Sequence, residues 1–121
     1  MALDIQADLR SRLAVALSPI EVRIRVPDER PSEFVVVRRE GGREKNKHLD
    51  SPGVGIWCWA STEEKAYELA EKVSQFMRFL PFQGGYSSVV QEAMYSAPDP
   101  EINTPRWYLS YSFTTFDPIK E

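Results

Sequence analysis

The sequence predicts an α+β fold, a mixed and mainly antiparallel sheet with two helices packed on one face. Three observations carry that expectation. Helical spacing of apolar residues occurs in only two stretches, near residues 3–17 and 61–80. Alternating or β-branched runs recur between and after them, and Pro- and Gly-rich connections separate the runs. The resulting order is α-β-β-β-α-β-β, with too few helices for a parallel sheet built on βαβ crossovers.

The first helix places Ile5, Leu9, Leu13, Ala16 and Leu17 on one stripe, and Pro19 closes it. Val22, Ile24 and Val26 then alternate with Glu21, Arg23 and Arg25, which predicts a half-exposed strand. PDERPS (residues 27–32) is a turn. Phe34 to Val37 is a continuous apolar run, expected to be a strand covered on both faces. Residues 40–53, EGGREKNKHLDSPG, have Leu49 as their one large apolar residue and predict a long loop. Residues 54–60, VGIWCWA, form the next strand.

Ser61 and Glu64 have the spacing of a capping box. Ala66, Leu69, Ala70, Val73, Phe76, Met77 and Leu80 follow at helical intervals, with Pro81 as the stop. A strand from Gly84–Gly85 through Val89, Val90 and Met94 to Tyr95 comes next, and the three-proline connection APDPEINTP after it. The last strand, Arg106 to Thr115, puts Trp107, Leu109, Tyr111 and Phe113 on one face. Tyr108, Ser110, Ser112 and Thr114 take the other.

The chain has 121 residues, a size that predicts a single domain spanning 1–121 with its own core. Fifteen basic residues against eighteen acidic ones give a net charge of −3, the wrong sign for a general nucleic-acid binder. One cysteine and one histidine leave no disulfide and no multi-thiolate or poly-histidine metal site to build. The first residues, MALDIQADLR, lack the basic start and apolar run of a signal peptide, and no membrane span is expected. These features predict a soluble chain made in a reducing cytoplasm, with no cofactor.

Catalytic sets are hard to assemble. Cys58 lies between Trp57 and Trp59, where a small buried hydrophobe is expected. His48 and Asp50 have no third partner in sight, although a small enzyme or ligand-binding domain using that loop is the alternative reading. Glu63–Glu64 suits the start of a helix, and Asp28–Glu29 a turn. Two excesses remain. The run RREGGREKNK (38–47) holds five basic and two acidic residues in an otherwise acidic chain, so Arg39, Arg43, Lys45 and Lys47 are candidates to face an acidic partner or passing DNA. Three Trp, five Tyr and six Phe exceed what one small core takes in, which marks Tyr108 and Trp107 as candidate subunit-interface aromatics.

Several segments occur in a telling order: ERP-x-EFVVVRREGG (Glu29 to Gly42), a D-x-P turn (Asp50 to Pro52), a strand closing on WAS (Trp59 to Ser61), A-x-x-LA-x-x-V (Ala66 to Val73) and a final RWYLSY strand. Together they resemble the tail-terminator, or tail-completion, proteins of phages and prophages with long non-contractile tails. The resemblance spans nearly the whole chain, and its motifs are structural. It implies a non-enzymatic subunit of the virion tail, made in the bacterial host cytoplasm and placed near the head junction. The expected assembly is a homo-oligomeric, hexameric ring. Such a ring caps the tail-tube protein, stops polymerisation and meets the head–tail connector protein, with DNA only as passing cargo. Head–tail joining proteins of the same phages share this size and charge and are the alternative.

Overall fold

The computed structural model describes residues 4–44 and 49–116, with side chains over 4–40 and 52–115. The elements are α1 (Ile5–Ala16), β1 (Glu21–Arg23), β2 (Phe34–Glu44), β3 (Leu49–Trp59), α2 (Glu63–Phe79), β4 (Ser88–Ser96) and β5 (Arg106–Phe116), with a 3₁₀ turn at Leu80–Gln83. One five-stranded sheet has the order β1-β2-β3-β5-β4. β1 lies parallel to β2, and every other neighbouring pair is antiparallel. The α+β architecture and the element order are those expected from the sequence. None of the described helices is long and apolar enough to cross a membrane.

Helix α1 starts where Asp4 accepts a hydrogen bond from the Ala7 N–H at 3.0 Å, and it buries Ile5, Leu9 and Leu13. Helix α2 is capped by Thr62, whose hydroxyl accepts from the Lys65 N–H at 3.1 Å. The expected cap at Ser61 is therefore one residue early. Both residues are hydroxylated, and the spacing rule alone does not choose between them. Helix α2 ends at Phe79, and Pro81 sits in the first turn of the 3₁₀ segment that follows.

Both helices lie on one face of the sheet. Leu69, Ala70, Val73 and Met77 of α2 and Leu9 and Leu13 of α1 meet Val35, Val37, Val54, Ile56, Cys58, Leu109, Tyr111 and Phe113 in one buried cluster. Phe76 is only partly buried at its margin. A polar anchor on this side is Tyr86, whose hydroxyl donates to Asp8 at 2.6 Å while Arg12 pairs with Asp8 at 3.0 Å.

Two segments depart from the sequence expectations. The strand expected over 22–26 is paired only through Arg23, and Ile24 and Val26 are exposed where the chain bends away. The loop expected over 40–53 is instead largely strand. β2 continues to Glu44 and β3 begins at Leu49, with Gly41 opposite Gly53, Gly42 opposite Pro52 and Arg43 opposite Ser51 after a register shift at Arg39/Gly41. Gly, Asp and Lys are poor strand formers, and their composition suggested a loop. Hydrogen bonding to β5, where Gly53 meets Ser112 and Asp50 meets Thr115, overrides that preference.

Candidate functional site: an open sheet face

Strand alternation fixes what the second face carries. In the register, Val36, Trp57, Tyr108 and Tyr95 stand opposite one another, so four strands contribute one transverse row on the side away from the helices. Trp57 and Tyr108 have ring centroids 5.0 Å apart, and Tyr108 and Tyr95 are 5.3 Å apart. Tyr95, at the sheet's edge, is 51% exposed. Beside this row, Phe34 stacks on Trp59 at 4.5 Å and 12°, and the Arg106 guanidinium lies 5.3 Å from the Trp59 ring.

At one end the face is closed by the two proline-rich connections. Asp99 ties them down: its carboxylate accepts from Trp59 Nε1 at 3.0 Å, from Arg30 at 3.0 Å and from the Glu101 N–H at 2.9 Å. Burial pushes the Asp99 carboxyl up, but these three donors and the nearby Arg106 charge outweigh it and hold the group at about 2. The next cleft along, about 330 Å³, has Val36, Trp57 and Trp59 as its floor and Arg25, Arg38 and Arg106 on its rim, with Glu101 at one end. Arg106 is engaged, donating to the Ala97 carbonyl at 2.7 Å. Arg25 and Arg38 are exposed and have no ion-pair or hydrogen-bond partner among the described residues.

At the other end, Tyr108 donates to Glu40 at 2.6 Å. Glu40 can lie there because Gly55 has no side chain: a Cβ at that position would stand 2.6 Å from the Glu40 carboxylate. Burial, and then the bond to Glu40, raise the Tyr108 hydroxyl above its ordinary range.

The sequence candidates are distributed as follows. Tyr108 stands in the centre of the open face, as its alternation implied. Trp107 points the other way, donating to Glu63 at 2.6 Å and meeting Tyr67 edge-on at 5.1 Å, so its contacts are within the chain and on the helix side. Arg39 shares the helix-side face with Val37, and its backbone N–H donates to Gln6 at 2.7 Å. Arg43 lies on β2. Lys45, Lys47 and His48 lie outside the described residues. Asp50 is paired in β3, and Cys58 is fully buried, with burial pushing its thiol well above the ordinary thiol range.

Arg25, Arg38, Trp57, Tyr95 and Asp99 are site residues that the sequence reading did not select. A signal for Arg38 and Trp57 existed in the alternation, because Arg38 follows Val36 on its face and Trp57 shares the face of Trp59. Asp99 was not marked by its local bond to the Glu101 N–H, which any turn Asp can make, and its two side-chain partners are 40 and 69 residues away. Among the described residues no cluster of His, Cys, Asp and Glu suits a metal ion. No protein-family model matches the chain, and a search of curated proteins gives no significant match.

Proposed function

We propose that the chain is a structural subunit of a phage tail, a terminator that closes the growing tube as a ring and prepares the head–tail junction. The observation that supports this reading best is the partly exposed aromatic row on the open face. A small domain that packs both helices on one side leaves Tyr95 exposed and Trp57 and Tyr108 half-buried beside the buried Val36, and assembly between copies is the use that the resemblance implies. Arg39 and Arg43 of β2, with Lys45 and Lys47 following in the sequence, belong to the same reading as diffuse positive charge for the tube or for passing DNA.

The test is deletion of the gene in its phage or prophage. Overlong tails that regain normal length on complementation are expected. Tails of normal length beside unjoined heads assign the joining role instead. Normal infectious particles overturn both. Replacing Arg43, Lys45 and Lys47 together with Ser is expected to leave melting temperature unchanged and to reduce tail completion.

A further inference from the structure

We infer that the arginine-rimmed cleft on the open face docks the acidic outer row of helix α2 from a second copy of the chain. The inference rests on the ring reading and supplies its interface. On the docking side, Trp57 gives an apolar floor, and Arg25 and Arg38 stand beside it as exposed cations without partners among the described residues. The Asp99 carboxylate is ion-paired with Arg30, and the remaining charges of the lining, Arg25, Arg38 and Arg106 against Glu101, leave the cleft net positive.

On the other side of the molecule, Glu64, Glu68 and Glu71 follow at i, i+4 and i+7, opposite the buried stripe of Ala66, Leu69, Ala70 and Val73. Glu64 and Glu68 are exposed and have no partner among the described residues. Tyr67, bonded to Glu71 and 43% exposed, gives this acidic row an aromatic flank to set against the Trp57 floor. The two surfaces are complementary in charge, and each pairs carboxylates or guanidinia with an aromatic ring.

The geometry makes a further demand. The cleft and the acidic row lie on opposite layers of one molecule, sheet and helix. A contact between them is head-to-tail: it leaves a free surface at each end of a pair and propagates until a ring closes. A two-fold dimer does not satisfy it.

Charge reversal tests this with the full chain. Two variants are compared with the original by sedimentation over a concentration series at low salt: Arg25→Glu/Arg38→Glu and Glu64→Lys/Glu68→Lys. All four side chains are exposed and unpaired among the described residues, so Arg25→Glu/Arg38→Glu should keep its melting temperature. The helix variant should lose a little, because Glu64 lies in the first turn of α2; Glu68→Lys alone, outside that turn, is the control that keeps it. Each double variant alone is expected to lose association by at least about tenfold, and salt should weaken the original. An equal mixture of the two variants is expected to assemble again. Each reversed cleft then faces a reversed helix, and each native cleft a native helix, in alternating order. Variants that associate as the original does overturn this interface and leave the ring reading standing, with the exposed β4 edge as the next surface to test. An original chain that stays monomeric even with tail tubes added overturns it as well. The ring reading itself stands or falls separately, on tail length in the deletion.

Discussion

The two faces of the sheet are built from the same strands, residue by residue in alternation, yet they obey different rules. The helix side holds Val35, Val37, Val54, Ile56, Leu109 and Phe113, all fully or almost fully buried, and its cohesion is apolar area and close packing. The open side has a small buried patch of Phe34, Val36 and Trp59, and around it Trp57, Tyr108, Tyr95, Arg38 and Glu40, which are amphipathic or charged and keep one end in water. The difference teaches which changes should act on folding and which on association.

The largest effect is expected from the helix side. Leu69→Ala truncates a buried side chain of α2 and should cost ~2–5 kcal/mol, read as a shifted denaturant midpoint with unchanged slope. If it costs no more than a surface substitution, the division between the faces fails.

Asp99 sharpens the division, because it is a charged fold-holding group on the open side, tied to the buried Trp59. Its carboxyl is held at about 2, below the ordinary value of 3.8, so it contributes stability that is present above pH ~4 and lost as pH falls toward 2. Asp99→Asn should therefore destabilise by about 2 kcal/mol near neutral pH, and the gap to the original should narrow on acidification. A gap that is flat from pH 6 to pH 2 would mean that packing, not charge, is what the side chain provides.

A smaller effect is expected where Glu40 leans over Gly55. Gly55→Ala should displace the Glu40 carboxylate and release the Tyr108 hydroxyl, costing about 1 kcal/mol and lowering the Tyr108 titration toward that of a free phenol. Adding Tyr108→Phe to that variant should cost almost nothing more. Smallest of all is the chemistry of Cys58. A thiol reagent should label it only as fast as the chain unfolds, and rapid stoichiometric labelling of the native protein would revive a reactive-thiol role.

How far the sequence disclosed this molecule follows from the range of the interactions involved. Strand β5 was legible to within one residue, because its period of two spans eight positions and its neighbours on both sides enforce it. Helix α2 was legible for the same reason at a period of 3.6. The β2–β3 hairpin was not, since Gly41, Gly42, Pro52 and Gly53 are strand only through pairing with distant partners. The candidate site was half visible. Tyr108 declared its face by alternation, whereas the Arg25–Arg38–Arg106 rim brings together residues from three separate segments, and no local pattern marks such a meeting.

The Asp99 junction also has a bearing on when the open face becomes competent. Arg30, Trp59 and Asp99 come from the first, middle and last parts of the chain, and Asp99 reaches the other two from the connection between β4 and β5. A nascent chain that has made β1, β2, β3 and α2 already displays Trp57 and Arg38, but it lacks Tyr108, Arg106 and the lock that holds the two connections over Trp59. Contacts of such long sequence separation carry a large loop-closure cost. The open face is whole only when the connection between β4 and β5 has closed over Trp59. If copies associate through this face, a chain with that junction open lacks part of the surface it would offer.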